Sequence, residues 1–304
     1  MLSNNPDHSV KFGNRWELVP VPFFAGYPLP YESCALSNQT MAEDKPWALI
    51  SEVSEQGFIE EVTDIIKQHF NIICLRDFLQ NPQQHGPKIQ AILMWNSYPA
   101  AEPLLLSSLP SLKVVASGGV GIDHLDVPYI TSLGVKVANT PGVVSVATAD
   151  MAMGLLLASA RKIVEGEVKG SNLIPGLMGV EVTGSTLGII GMGHIGYKIA
   201  QRSKGFDMKI LLRLFNGVSQ GLVVDQDALV KALQSGEIRA AALDVTHPEP
   251  LPRDHPLLSL PNVLITPHVG TYTYATIKRM VQCMVDNAIA AVNGLPVPNE
   301  VKLK

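Results

Sequence analysis

The sequence is poor in cysteine, in aromatic residues and in charge. Three cysteines among 304 residues, Cys34, Cys74 and Cys283, are too few and too far apart for a disulfide framework or a metal-binding knuckle. We therefore expect a reducing compartment, no metal site and no cysteine nucleophile. The formal net charge of −4 offers no basic surface for nucleic acid or for an anionic membrane.

Long hydrophobic runs are absent as well. No run approaches the roughly 18 apolar residues that a membrane-spanning helix needs. One apolar stretch, 16–29, is broken by Pro20, Pro22 and Pro28 and has no basic start, so it does not resemble a signal peptide. The sequence predicts an irregular extension over residues 1–40, followed by enough chain for two domains of a cytosolic protein.

What the sequence does contain is a glycine-rich turn between an apolar run and helix-forming residues. Gly191, Gly193 and Gly196 follow the run 187–190 with the spacing G-x-G-x-x-G, and a predicted helix continues over 194–204. Strand, glycine turn and helix in this order are typical of a dinucleotide-binding βαβ unit, with the pyrophosphate at the helix N-terminus. Glycines also occur in ordinary turns, so the spacing alone is weak.

Strands and helices alternate on both sides of this turn, which predicts an α/β fold with doubly wound parallel sheets. Ligands in such sheets lie beyond the carboxyl ends of the strands, and the loops after Trp95 and at 117–121 qualify. The segment 145–160 is apolar on nearly all sides. We expect it to be buried in the core, between the domains or against another subunit.

The alternation breaks after the predicted strand 208–212. The segment 213–221 leads almost at once into a predicted helix, 226–234, where a nucleotide-binding half should continue with further βαβ units. A strand at 240–245, an irregular stretch, a strand at 263–266 and a long helix at 273–293 complete the chain.

Several long motifs, in this order, make the chain resemble the D-isomer-specific 2-hydroxyacid dehydrogenases, and within them the glyoxylate/hydroxypyruvate reductase branch. Besides the glycine turn, the resemblance rests on SGGVGIDHLD, TADMAMGLLLASAR, GLVVDQDALVKAL, AALDVTHPEPLPRDHPLL and ITPHVG. It implies a flavodoxin-like substrate domain over 41–140, a Rossmann cofactor domain over 141–272, and a C-terminal helix, 273–304, that returns to the substrate domain. The site would lie in the cleft between the two domains.

The resemblance also implies a reaction, the reduction of a small 2-oxo acid by hydride from a nicotinamide. His268 would give a proton to the carbonyl oxygen, and Glu249 would orient the imidazole and favour its protonated form. Histidine suits this role because imidazole titrates near neutral pH. Without the motif, a satisfied or exposed loop histidine would be the better interpretation, and Pro-Glu-Pro would be an ordinary loop.

The remaining site residues follow from the same motifs. The substrate carboxylate is expected against the backbone N–H groups of Val120 and Gly121, with Gln220 and His268 beside it. Cofactor contacts are expected from Gly191, Met192, Gly193, His194, Ile195, Gly196, Arg213, Val218, Asp244 and Gly270. The family implies a homodimer formed through the cofactor domain, with no nucleic acid, membrane or metal as partner.

Two departures from the family pattern put activity in question. Gln220 stands where the family has an arginine, and its neutral amide offers neither charge nor a bidentate fork. Only 29 positions separate Gly191 from Gln220, so about fifty residues with central strands of the cofactor domain are expected to be missing.

The residue after the second cofactor-domain strand is Arg213 rather than an acid, which favours NADP over NAD. An equally good interpretation is that Arg213 only begins an irregular junction. The main prediction is an NADPH-dependent glyoxylate or hydroxypyruvate reductase. The alternative is an impaired or inactive relative that binds nucleotide weakly or pairs with full-length subunits.

Overall fold

The structure, a computed structural model, describes residues 45–53, 57–164, 178–213 and 223–302, together with the backbone of Glu17–Leu18. Among these residues the chain forms two compact units. The five-stranded unit comprises 45–147 and 271–302, and the glycine-turn unit comprises 148–270 with Glu17–Leu18.

The described strands are β1 (Glu17–Leu18), β2 (Trp47–Ile50), β3 (Asn71–Cys74), β4 (Ile89–Met94), β5 (Val114–Ser117), β6 (Lys136–Ala138), β7 (Thr186–Ile190), β8 (Lys209–Arg213), β9 (Ala241–Leu243) and β10 (Val263–Ile265). The described α-helices are α1 (Glu60–Lys67), α2 (Leu75–Gln80), α3 (Pro82–His85), α4 (Pro103–Ser107), α5 (Val127–Ser132), α6 (Ser145–Arg161), α7 (His194–Ser203), α8 (Gln226–Ser235) and α9 (Tyr274–Val292).

The five-stranded unit is built on a parallel sheet with the strand order β3-β2-β4-β5-β6. Its central strands are apolar without alternation because helices cover both faces. On one face Leu93 packs in a cluster with Val62 of α1 and Met284 of α9. On the other face Ile92 packs in a cluster with Phe78 of α2. The predicted α/β fold with a parallel sheet is confirmed here.

The C-terminal helix α9 returns the chain to the five-stranded unit. Its start is fixed by Thr273, whose hydroxyl accepts a hydrogen bond from the N–H of Thr276 at 3.2 Å. It ends before Gly294, which has a φ of +70°. The helix was expected at 273–293 and is found at 274–292 because both ends carry local capping signals.

The glycine-turn unit contains two separate sheets in its described part. β7 and β8 pair in parallel, and β1 adds to the outer side of β8 in the antiparallel direction, inside the extension expected to be irregular. β9 and β10 form a parallel pair of their own. Helix α8 stands beside this pair, capped by Asp225, whose carboxylate accepts from the N–H of Ala228.

The division into two sheets leaves strand edges open. Within the described residues, β7 pairs only with β8, and β9 pairs only with β10. Residues 214–225, twelve in number, separate β8 from α8, far fewer than the roughly 30 of a βαβ unit. This interval is therefore too short for a further βαβ unit, and Ile190 of β7 is 41% exposed.

Helix α6 is less buried than its composition suggests. Val146 is 41% exposed, and the carboxylate of Asp150 accepts a hydrogen bond at 2.7 Å from Arg202 on the surface. Other residues of the helix, among them Ala149 and Met153, are buried. Burial inside this chain therefore accounts for only part of the apolar character of the helix.

Candidate active site

The glycine turn between β7 and α7 has the geometry of a pyrophosphate cradle. Gly191 has a φ of +88°, and a Cβ on Gly196 would lie 2.2 Å from the carbonyl oxygen of Gly191. A Cβ on Gly193 would meet nothing within 4 Å, and Gly193 supplies no side-chain cap to α7. The backbone of the turn and the helix N-terminus thus fit a dinucleotide phosphate.

His268 and Glu249 form a hydrogen-bonded pair in the glycine-turn unit. The Nδ1 atom of His268 lies 2.8 Å from Oε2 of Glu249, and both side chains are partly exposed. The other carboxylate oxygen of Glu249 accepts from the N–H of Thr246 at 2.8 Å. Because an ionised carboxylate only accepts, Nδ1 carries the hydrogen of this bond, and Nε2 remains for a substrate.

The loop that carries His268 is clamped by Asp244. His268 has a φ of +54°, and its N–H donates to the carbonyl of Asp244 at 2.8 Å. The Asp244 carboxylate accepts from the N–H groups of Val269 and Gly270 and from the hydroxyl of Thr266, at 2.9, 2.8 and 2.6 Å. A Cβ on Gly270 would lie 2.8 Å from this carboxylate, so a larger residue would displace the Asp244 side chain.

The candidate substrate loop, residues 117–121, follows β5 in the five-stranded unit. A Cβ on Gly118 would lie 3.0 Å from both Met284 and Trp95, so the loop packs tightly against α9. In the described part of the chain, the N–H groups of Val120 and Gly121 make no hydrogen bond to another residue. Two adjacent unpaired donors are what a carboxylate requires.

For three of the predicted site residues the structure describes the backbone alone or nothing. Val218 and Gln220 lie outside the described residues. Arg213 is described by its backbone, which ends β8 in register with Ile190. The structure brings the other predicted residues into three groups, namely the glycine turn, the Glu249–His268 pair with the Asp244 clamp, and the substrate loop.

The sequence of this chain matches the family described as "D-isomer specific 2-hydroxyacid dehydrogenase, catalytic domain" over residues 49–302. This chain belongs to that family. It is thus an oxidoreductase of the 2-hydroxyacid dehydrogenase type, in a family that binds NAD(P). The expected resemblance to the glyoxylate reductase branch is confirmed.

Two relatives and two solved structures illustrate the similarity. Glyoxylate/hydroxypyruvate reductase B of Klebsiella pneumoniae is 32% identical, over 77% of this chain and 93% of that protein. The Homo sapiens glyoxylate reductase/hydroxypyruvate reductase is 35% identical, over 64% and 78%. A protein of Thermus thermophilus superposes with a TM-score of 0.72 at 28% identity, covering 84% of this chain and 100% of that one. The NADPH-dependent glyoxylate/hydroxypyruvate reductase of Sinorhizobium meliloti, in complex with citrate, gives 0.71 at 25%, covering 85% and 98%.

These alignments also show that this chain is internally shorter than its relatives. The Klebsiella pneumoniae alignment is 299 positions long but spans 77% of the 304 residues here, about 234, which leaves about 65 positions without a counterpart. The Homo sapiens alignment is 255 positions long and spans 64%, about 195 residues, which leaves about 60. Among the described residues β7 pairs only with β8 and β9 only with β10, which agrees with a loss in the glycine-turn unit.

Sequence reasoning missed some residues that support the site. The N–H of Thr246 holds Glu249, and Asn139 and Thr140 contact the substrate loop. From the sequence, residues 139–142 are expected only as the boundary between the domains 41–140 and 141–272. Their position directly after a buried strand, beside the loop that follows the preceding strand, is the signal that could have found them.

A cavity of about 690 Å³ lies within the glycine-turn unit, along α6. Apolar side chains such as Leu155 and Ala242 form much of its wall, and Arg239, Asn262 and Asp244 add polar groups. Among the described residues, its lining does not include the glycine turn. Of the site residues that the structure describes, Asp244 alone lines the cavity.

The described residues add little metal or thiol chemistry. They contain no cluster of three or more histidine, cysteine or acidic side chains that could hold a metal ion. Burial raises the pKa of the Cys74 thiol, which is the reverse of what an activated nucleophile requires. Cys283 is buried, and Cys34 lies outside the described residues.

None of the helices in the described segments has the length and apolarity needed to cross a bilayer.

Proposed function

We propose that this chain reduces small 2-oxo acids, glyoxylate or hydroxypyruvate, to the corresponding 2-hydroxy acids. The observation that carries the proposal is the hydrogen-bonded pair of Glu249 and His268, whose side chains meet at 2.8 Å. The loop that carries His268 is itself held by the Asp244 carboxylate. The relatives named as glyoxylate or hydroxypyruvate reductases support the substrate class. The glycine-turn unit would serve as the cofactor domain and the five-stranded unit as the substrate domain.

His268 would act as the proton donor of the reduction. Its Nδ1 is engaged by Glu249, so Nε2 is the atom that would deliver a proton to the carbonyl oxygen. The Glu249 carboxylate, fixed by the N–H of Thr246, would hold the ring in one orientation and stabilise the imidazolium. The nicotinamide, when bound, supplies the hydride that reaches the carbonyl carbon.

The substrate carboxylate would be held by the N–H groups of Val120 and Gly121. Both donors are unpaired in the described part of the chain, and Val120 is 36% exposed. Gln220 would add a neutral amide where the family has an arginine. Loss of one member of a buried charge pair costs roughly 2–5 kcal/mol, so we expect weaker substrate binding and slower turnover than with arginine.

The cofactor would be NADP in preference to NAD, bound through residues 191–196. The space beside the backbone of Gly193, where a Cβ would meet nothing within 4 Å, supports a pyrophosphate at the glycine turn. Arg213 at the end of β8 supports a phosphate, rather than a hydroxyl, on the adenosine ribose. A homodimer formed through the cofactor domain and a cytosolic location remain predictions of the same proposal.

One observation favours the alternative, a catalytically impaired relative. The cofactor-domain strands form two separate sheets with open edges within the described residues, and residues of β7, β9 and β10 are more exposed than central strands should be. Such a chain would bind nucleotide weakly or associate with full-length subunits through the exposed face of α6.

The deciding experiment is consumption of NADPH with hydroxypyruvate by the purified chain, followed by cofactor absorbance. His268→Asn is the informative variant because asparagine tolerates a positive φ better than most residues. We expect it to lower kcat by roughly a hundred- to ten-thousandfold, the usual contribution of a general acid. The control is His247→Asn at an exposed histidine of the neighbouring loop. A wild-type chain that unfolds cooperatively but consumes no NADPH would establish the impaired alternative.

A further inference from the structure

The substrate loop is held from one side by two consecutive residues of the next strand end. Thr140 is fully buried, and its N–H and hydroxyl both donate to the carbonyl oxygen of Gly119, at 2.8 and 3.1 Å. The same hydroxyl accepts from the N–H of Gly119 at 2.7 Å. The side-chain amide of Asn139 donates to the carbonyl oxygen of Val120 at 2.8 Å.

The carbonyls held in this way belong to the peptide groups that carry the unpaired donors. A peptide group is planar and trans, so its C=O and its N–H point in opposite directions. Fixing the carbonyl of Gly119 therefore fixes the direction of the Val120 N–H. Fixing the carbonyl of Val120 does the same for the Gly121 N–H. Each of the two residues thus controls one donor.

The anchor of this arrangement is a buried polar group on α9. The Asn287 side chain is fully buried, and its amide donates to the backbone carbonyl of Asn139 at 3.0 Å. Its oxygen accepts from the N–H and the side-chain amide of Asn299, both at 3.1 Å. The N–H of Asn139 in turn donates to the carbonyl of Asn299 at 3.3 Å. The backbone of Asn139 is therefore tied to the C-terminal part of the chain.

We propose that Asn139 and Thr140 are positioning residues that aim the N–H groups of Val120 and Gly121 at the substrate carboxylate. The inference rests on the proposed function, because it assigns these donors to a 2-oxo acid. Neither side chain needs to touch the substrate. Their effect is preorganisation, since donors that are already aligned lose little entropy when the carboxylate binds.

The test uses Asn139→Ala, which removes the amide donor to Val120, and Thr140→Val, which removes the hydroxyl but keeps the shape. Thr140→Ser should rescue the second variant because it restores the hydroxyl. The matched control is Asn71→Ala, an asparagine of the same unit whose amide donates to the carbonyl of Lys45 at 2.9 Å, away from the loop.

Two readouts separate positioning from a general loss of structure. We expect the KM for hydroxypyruvate to rise roughly three- to twentyfold in Asn139→Ala, the equivalent of one hydrogen bond, with the KM for NADPH unchanged. The dissociation constant of oxalate, a two-carbon dicarboxylate probe that needs no turnover, should rise in parallel. Amide hydrogen exchange of residues 117–122 should be faster in both variants and unchanged in Asn71→Ala.

The outcomes distinguish this inference from the proposed function. An active wild type in which Asn139→Ala leaves the KM for hydroxypyruvate and the affinity for oxalate unaltered overturns the inference alone. Unchanged amide exchange in both loop variants also overturns it, whatever the activity. A wild type that neither consumes NADPH nor binds oxalate refutes the proposed function, and the assignment to a substrate carboxylate falls with it.

Discussion

Glu249 and His268, which are nineteen positions apart, meet at 2.8 Å between Oε2 and Nδ1. The carboxylate is also held at its other oxygen by the N–H of Thr246. The histidine is held through its backbone, with its N–H on the carbonyls of Asp244 and Thr266. Both partners are thus held by neighbouring residues of the protein itself, an arrangement that suits general acid catalysis.

The first prediction concerns this pair. Glu249→Gln keeps the shape of the side chain but removes its charge, so the imidazolium loses its stabilising partner. We expect kcat to fall roughly ten- to a hundredfold, the rate equivalent of one charge-assisted hydrogen bond, in steady-state assays with hydroxypyruvate. Glu237→Gln, at an exposed position of the same unit, is the control. Equal activity of the two variants would contradict the assigned role of Glu249.

The second prediction concerns the missing arginine. Gln220→Arg introduces a guanidinium at the position where the family has an arginine, and this cation can bind the substrate carboxylate through two hydrogen bonds. We expect kcat/KM for hydroxypyruvate to rise by roughly thirtyfold or more, because the charged partner is worth about 2–5 kcal/mol. Gln201→Arg on the exposed surface of α7 adds the same charge elsewhere and should have no effect. No gain in a folded Gln220→Arg sample would refute our account of position 220.

The third prediction concerns the clamp on the His268 loop. Asp244→Asn places an amide where the carboxylate accepts from Val269, Gly270 and Thr266, so at least one donor loses its partner. We expect a loss of about 1–3 kcal/mol in the free energy of unfolding, measured with urea, together with a lower kcat. Asp150→Asn, in the exposed pair with Arg202, should change stability by less than about 1 kcal/mol. Comparable losses in both would show that Asp244 has no special role.

The fourth prediction concerns pH. Burial lowers the pKa of His124, whose Nε2 lies 3.2 Å from the Ser117 hydroxyl, and the nearby charge of Asp123 only partly opposes this. Below the ordinary histidine value of 6.5, the unfolded chain binds a proton that the folded chain resists. The free energy of unfolding should therefore decline as the pH falls below that value. His124→Gln should flatten this part of the profile, whereas His247→Gln should keep it. A profile unchanged by His124→Gln would exclude this residue as the cause.

The fifth prediction concerns the edge of β7 that has no partner strand among the described residues. An unpaired parallel strand edge is a template for association with another chain. Ile190→Lys places a charge on this strand, where the isoleucine is 41% exposed, and should lower concentration-dependent association in light scattering. Leu104→Lys, at an 84% exposed leucine of α4, is the control. If both substitutions reduce association equally, net charge rather than the strand edge is responsible.

The local features of this protein could be predicted from its sequence alone. The glycine turn, the strands β9 and β10 and the long helix α9 were all predictable because each depends on neighbouring residues. The short helices α2 and α3 were not predicted, because a few residues carry too little periodicity to be recognised. The internal shortening was also visible in the sequence, as an interval too small for a βαβ unit.

The support that distant residues give to the site became visible only in the folded chain. Asp244 reaches residues 22 to 26 positions away, and Asn287 reaches Asn139 over 148 positions. Such hydrogen bonds depend on which strand ends lie side by side, and hydrophobic periodicity does not specify that. The sequence could therefore name His268, Glu249, Val120 and Gly121 through the family resemblance. The support of the His268 loop by Asp244, and of Val120 and Gly121 by Asn139 and Thr140, became visible only in the structure. In each case one sheet places two neighbouring strand ends side by side.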